Sequence, residues 1–326
     1  MSKKVLVTLD IPEKGLQMLH NAGFELTVGD SASPFSYEEL LKLTRDFEYI
    51  IPSSKDKIDR NFLENNRQLK VISTFSAGFD HIDIQAANEF GIPVGHTPQA
   101  MNKATSDIAF GLMIAVSRNF FQLNKKIEAG NWGGFRPRAD LGQELYGKTL
   151  GVFGLGAIGF EMARKCKAAY QMDIIYCNRS VNAKAEKELG AQKVNFEELL
   201  ELSDAISVHS NLSEETKYIF NKSAFTQMKK TAIFVNTSRG KVHQETDLIN
   251  ALKEGQIWGA GLDVTDPEPM KPDNPLLQMP NVCVLPHIGS ATVEARDEMS
   301  RLAAANLLQY LENGTMIHCV NPEVLS

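Results

Sequence analysis

Short apolar, β-branched runs alternate with stretches of helical periodicity twice along this chain, and that alternation most restricts the folds open to it. Runs at 5–8, 26–28, 49–51, 71–74 and 92–94 read as buried strands, with helical stretches such as 13–22 and 37–43 between them. A second series passes through 149–153, 174–177, 205–208, 232–235, 257–262 and 282–285. Strands that alternate with helices assemble into parallel sheets covered by helices on both faces. Two such series in 326 residues predict an α/β protein of two doubly wound parallel-sheet domains. Between the series lie a long helical region, about 103–130, and a loop rich in Gly, Pro and Arg at 131–142. The last helix, about 291–313, is placed to carry the chain back to the first domain. The predicted division is a discontinuous domain, 1–100 with 290–326, and an inserted domain, 101–289, that bears an arm at about 103–145.

Charge and cysteine usage exclude several classes of function. A net charge of −6 argues against capture of nucleic acid or anionic lipid, which needs clustered Lys and Arg. Cys166, Cys177, Cys283 and Cys319 form no C-x-x-C pair and lie beside no His cluster at metal-ligand spacing. They read as reduced thiols of a cytoplasmic protein with no metal site. The apolar run at 5–9 is too short for a signal-peptide core. The most apolar stretch, 109–116, is too short to span a bilayer.

A glycine-rich turn, Gly154-Leu155-Gly156-Ala157-Ile158-Gly159, follows the strand at 149–153 and opens a helix. The glycines permit a tight turn, close approach of backbone to a pyrophosphate, and close helix–strand packing; the helix N-terminus adds N–H donors. A dinucleotide is the ligand this context predicts. An acid at the end of the next strand would bond a ribose 2′-hydroxyl and repel a 2′-phosphate. Asn178, 19 positions after Gly159, stands there instead, followed by Arg179 and Ser180. Arg179 can pair with a phosphate bidentately and Ser180 can donate a hydrogen bond. NADP(H) is therefore favoured over NAD(H), which stays open as the alternative.

Three polar residues, Arg239, Glu268 and His287, each lie just past an apolar run of the second series. Of seven histidines, only His287 follows a late strand and a proline and opens a Gly-Ser turn. That places it at a carboxyl strand end, where open α/β sheets build their sites. An unperturbed imidazole titrates at about pH 6.5, and a carboxylate such as Glu268 favours its charged form and fixes the ring. Arg239 is suited to clamp a carboxylate and an adjacent carbonyl oxygen. A nucleotide, a cation and a paired histidine are the equipment for reducing a 2-keto acid.

On these segments the chain resembles the D-isomer-specific 2-hydroxyacid dehydrogenases, most of all the glyoxylate/hydroxypyruvate reductase branch, which includes 2-ketogluconate reductases. The densest stretches are 141–159, 235–240, 259–269 and 286–292. The resemblance implies a flavodoxin-like substrate domain and a Rossmann nucleotide domain with a cleft between, and reduction of a small 2-keto acid to the D-2-hydroxy acid. It assigns Arg239, Glu268 and His287 to catalysis, with His287 as proton donor. It gives Lys55, Ser76, Ala77, Gly78 and Ser290 to the substrate beside Arg239. The cofactor is given Thr105, Gly154, Gly156, Ala157, Ile158 and Gly159, then Asn178, Arg179 and Ser180, and also His209, Asn211, Thr216, Thr237, Asp263 and Gly289. Asp263 matches the residue that holds the nicotinamide carboxamide. A homodimer joined through the nucleotide domain is implied too, with Trp132, Phe135, Arg136 and Arg138 of the arm as candidates for reaching the neighbouring subunit's site. The chain departs from the family at His209-Ser210-Asn211-Leu212, where His-Cys-Pro-Leu is usual, and at Asn178-Arg179-Ser180, as in NADP-using members. The competing readings are a nucleotide-sensing or corepressor-like binding protein on the same fold, and formate oxidation, which Glu268 disfavours because that chemistry uses a glutamine there.

Overall fold

Val5 and Val7 point to one side of the first strand and Leu6 to the other, and each side has its own apolar layer. The valines pack with Leu19, Met299 and Leu307, whereas Leu6 packs with Leu40, Ile50 and Phe62. This two-residue period with both faces apolar marks a strand buried between helices. The computed structural model describes residues 3–325. The chain divides into two units, Met1–Met101 with Ala291–Ser326, and Asn102–Ser290.

The first unit holds five parallel strands, β1 (Lys3–Val7), β2 (Phe24–Val28), β3 (Tyr49–Ile51), β4 (Val71–Ser73) and β5 (Val94–Gly95), in the order β2-β1-β3-β4-β5. The helix Val293–Asn313 lies against the helix Glu13–Asn21, where the buried Ser300 hydroxyl accepts from the Gly15 amide at 3.0 Å and donates to the Pro12 carbonyl at 2.6 Å. The strand predicted at 92–94 is shifted to Val94–Gly95; Pro93, which has no N–H to donate, stands immediately before it.

The second unit holds seven parallel strands, β6 (Thr149–Phe153), β7 (Asp173–Cys177), β8 (Gln192–Lys193), β9 (Ala205–Val208), β10 (Ile233–Asn236), β11 (Gly259–Leu262) and β12 (Val282–Val284). Their order is β12-β11-β10-β9-β6-β7-β8. The chain direction across the sheet reverses at β6, which pairs with both β7 and β9. That switch point is where doubly wound sheets bind ligands. One apolar layer joins Leu112 and Val116 to Leu150, Val152 and Met162; the other joins Phe153 to Phe220, Phe225 and Phe234. β8 was not among the predicted strands, because its two residues are exposed and polar and leave no apolar signal. The helical region predicted at 103–130 is two helices, Asn102–Ser117 and Phe120–Glu128. Asn119, with φ of 55°, breaks them apart in the left-handed conformation that asparagine tolerates. All four cysteines are free thiols. Among the described residues no helix is long and apolar enough to cross a membrane.

Candidate active site

The glycine turn sits at the end of β6, on the switch point. Gly154 has φ of 92°, and a Cβ there would meet the Ser210 amide nitrogen at 2.5 Å, so the turn passes closer to the segment after β9 than any side chain permits. Gly156 caps the helix Ala157–Tyr170 with extended backbone and no side-chain hydrogen bond, and a Cβ there would meet nothing within 4 Å. The first N–H groups of that helix, at Ala157, Ile158 and Gly159, meet no backbone acceptor among the described residues, as a cradle for a pyrophosphate requires. Asn178 turns its amide onto this loop: its Oδ1 accepts from the Leu155 N–H at 2.6 Å and its Nδ2 donates to the Leu155 carbonyl at 3.2 Å. Asn182 donates to the same carbonyl at 2.9 Å. Asn178 therefore braces the glycine turn, while Arg179 and Ser180 are exposed beside it. Across the switch point, His209 bonds Ser207 Oγ at 2.8 Å and Thr237 Oγ1 at 3.4 Å. Thr216 Oγ1 closes its own loop on the Asn211 carbonyl at 2.7 Å.

Arg239 is positioned by a turn that grows out of β10. Asn236, fully buried, accepts at Oδ1 from the Ser238 amide at 2.9 Å and hydroxyl at 3.0 Å. Its Nδ2 donates to the Arg239 carbonyl at 2.9 Å and to His243 Nδ1 at 3.0 Å. Gly240 presses this turn against the strand end that leads to Glu268, because a Cβ on it would lie 2.0 Å from the Thr265 carbonyl oxygen. His243 is fully buried, and burial alone pushes its pKa down to about 4. The unfolded imidazole takes up a proton at about pH 6.5 while the folded one resists until well below that, so the unfolded state binds more protons in between. This contribution to stability is complete above the unfolded value and is lost as pH falls toward the folded one. It amounts to about 3 kcal/mol. Urea unfolding midpoints are expected to drop between pH 7 and pH 4.5, with a shallower drop in H243L; parallel pH profiles for the two proteins would contradict this assignment.

Glu268 and His287 meet directly. His287 Nδ1 donates to Glu268 Oε1 at 2.6 Å, with both side chains about one-third exposed. Nε2 is thus the nitrogen left to face a ligand. His287 has φ of 54°, a conformation that non-glycine residues rarely adopt and that functional sites retain when the surroundings enforce it. Here Asp263 enforces it: its two carboxylate oxygens accept from the Ile288 amide at 2.8 Å and the Gly289 amide at 2.7 Å. Burial raises the Asp263 pKa, opposed by those two amides and by His287. Thr105 Oγ1 donates to the Gly289 carbonyl at 3.0 Å, fixing the other side of the turn, and Ser290 follows half-buried. Tyr218 Oη donates to Asp266 Oδ2 at 2.9 Å and so steadies the loop before Glu268.

The substrate residues assigned to the first unit lie on two loops at its strand ends. Lys55 is exposed on a turn held by Asp56, whose Oδ2 accepts from Thr8 Oγ1 at 2.5 Å, Ser53 N at 2.7 Å and Ser53 Oγ at 2.9 Å. Past β4, three successive carbonyls are engaged: Ser76 O by the Thr97 amide at 2.9 Å, Ala77 O by His96 Nδ1 at 2.9 Å and Gly78 O by Ser76 Oγ at 2.5 Å. The sequence reading missed His96, Asp56, and the Asn236–His243 pair. The one signal for Asn236 was a polar residue closing an otherwise apolar strand run. Among the described residues no group of three or more His, Cys, Asp or Glu is placed to hold a metal ion.

A parallel sheet with a glycine-capped helix at its switch point defines a dinucleotide-binding α/β protein, and the paired His287 and Glu268 give it the parts of a proton-transfer site. The family model for the D-isomer specific 2-hydroxyacid dehydrogenase NAD binding domain matches residues 110–289. The glyoxylate reductase of Pyrococcus furiosus is 40% identical over 329 residues, an alignment that covers 100% of this chain and 97% of that protein. A crystal structure of a Thermus thermophilus protein is similar with a TM-score of 0.90 and 38% identity, covering 97% of this chain and 99% of that one. The NADPH-dependent glyoxylate/hydroxypyruvate reductase of Sinorhizobium meliloti, in complex with NADP and malonate, is similar with a TM-score of 0.86 and 29% identity, covering 98% and 97%. The chain belongs to the D-isomer specific 2-hydroxyacid dehydrogenase family.

Proposed function

We propose that the protein reduces a small 2-keto acid, of the size of glyoxylate, hydroxypyruvate or 2-ketogluconate, to the D-2-hydroxy acid, with NADP(H) preferred over NAD(H). The observation that carries this reading is the 2.6 Å pair of His287 Nδ1 and Glu268, on a turn locked by Asp263. NADPH, when bound, supplies the hydride. Arg239 orients the substrate carboxylate and draws charge from the carbonyl oxygen. His287 donates the Nε2 proton to that oxygen, while Glu268 holds the ring at Nδ1. The amides of Ala77 and Gly78, with Lys55 and Ser290, are assigned to the substrate. Thr105, Gly154, Gly156, Ala157, Ile158, Gly159 and Asp263 are assigned to the cofactor, with Asn178, His209, Asn211, Thr216, Thr237 and Gly289 lining or bracing its site.

The cofactor preference rests on Arg179 and Ser180, exposed where an acid would repel a 2′-phosphate. R179D is expected to lower the ratio of NADPH to NADH efficiency by about 100-fold, by removing an attraction and adding a repulsion. A ratio unmoved by R179D would place the discrimination elsewhere. We further propose a homodimer built through the arm. The helix Phe120–Glu128 buries none of its residues, and Trp132 and Phe135 are 73% and 94% exposed, which leaves large aromatic side chains of the arm free to pack against a second copy. Light scattering is expected to give twice the chain mass, and a monomer would contradict it. The whole reading is tested by NADPH oxidation with glyoxylate, hydroxypyruvate and 2-ketogluconate, repeated with NADH. Turnover favouring NADPH is expected. Turnover favouring NADH removes the cofactor argument alone, and nucleotide binding without turnover on any keto acid turns the reading toward a nucleotide sensor.

A further inference from the structure

The loop at residues 76–79 shows how the first unit prepares a place for an anion. A peptide's carbonyl and its following N–H point in opposite directions, because the unit is planar and trans. Engaging the carbonyls of Ser76 and Ala77 on one side therefore presents the amides of Ala77 and Gly78 on the other. Among the described residues no acceptor meets the amides of Ala77, Gly78 or Phe79. Successive unpaired N–H groups of this kind form a concavity for a carboxylate.

The Ala77 carbonyl is the one held by a side chain from a different segment. His96 Nδ1 lies 2.9 Å from it, and since a carbonyl oxygen only accepts, Nδ1 must carry the hydrogen. His96 is itself fixed on three sides. Its carbonyl accepts from Asn306 Nδ2 at 2.9 Å, its amide donates to the His318 carbonyl at 3.2 Å, and its ring meets the edge of the Phe79 ring with centroids 5.6 Å apart. Burial, and less strongly the neighbouring His318, lower the pKa of the imidazole against the opposing effect of the Ala77 bond.

We infer that His96 is a positioning residue for the substrate: by holding the Ala77 carbonyl it aims the Gly78 N–H, and so sets the affinity for the substrate carboxylate. This rests on the proposed reduction of 2-keto acids and deepens it by naming a residue with no assigned role there. His96 acts through the Ala77 carbonyl, so its influence falls on substrate binding rather than on the chemical step.

The test compares H96L, which fills the ring's space without a donor, with H96N, whose Nδ2 falls where Nδ1 stood. H96L is expected to raise KM for hydroxypyruvate about tenfold, with kcat within about threefold. H96N is expected to recover most of that loss. NADPH affinity, measured by fluorescence titration, is the control for folding, since every residue assigned to the cofactor belongs to the other unit. A KM unchanged in H96L, or no recovery in H96N, overturns the positioning role while leaving the activity standing. A wild-type protein that reduces no 2-keto acid overturns the activity itself.

Discussion

H287A lowers kcat by about three orders of magnitude and leaves NADPH affinity within about twofold, the signature of a residue that acts only in the chemical step. The expectation follows from how little freedom the imidazole has. Its Nδ1 is fixed on Glu268 at 2.6 Å, and its backbone is held in the left-handed region by two amides bound to Asp263. The ring therefore presents one tautomer and one nitrogen. Alanine removes the proton donor and leaves the turn, because the bonds to Asp263 come from the backbone of Ile288 and Gly289. E268Q is expected to lower kcat too, since glutamine keeps a partner at Nδ1 but removes the carboxylate that accepts its hydrogen. Equal losses of kcat and NADPH affinity in H287A would show a collapsed site and contradict the role assigned to His287.

R239A lowers kcat/KM for a 2-keto acid by about a thousandfold, equivalent to about 4 kcal/mol of lost transition-state stabilisation. A guanidinium can hold a carboxylate and an adjacent carbonyl oxygen with parallel N–H bonds, which no neutral side chain and no lysine reproduces. R239K is accordingly expected to recover only a small part. The loss belongs to the side chain rather than the turn, because Asn236 holds the Arg239 main-chain carbonyl whatever the side chain is. A kcat/KM within tenfold of wild type in R239A would move the carboxylate to another cation.

Much of this was legible from residue order. The apolar run at 5–8 and the strand–glycine–helix junction at 149–159 each follow from local patterning, and a buried strand and a glycine-capped helix stand there. Strand ends that carry Arg239, Glu268 and His287 could be read because apolar runs preceded them. What could not be read depends on contacts between segments far apart in sequence. Nothing near His96 announces that its ring will reach the Ala77 carbonyl, 19 residues back. Asn178 read as a cofactor residue by its position, yet its amide is turned onto Leu155, since a short polar side chain at that strand end finds the glycine turn first. The break at Asn119 was hidden because its flanks are both helical, and one left-handed residue leaves no trace in the periodicity.

Deuterium tracing tests the central claim most directly. The protein is incubated with NADPH carrying deuterium at the transferred position of the nicotinamide and with hydroxypyruvate, and the product is resolved by chirality and mass. The expected result is a D-2-hydroxy acid with one deuterium on C2, formed at wild-type rate and almost absent with H287A. A product without deuterium at C2, or of the L configuration, would contradict direct hydride transfer to the keto acid in the orientation proposed here.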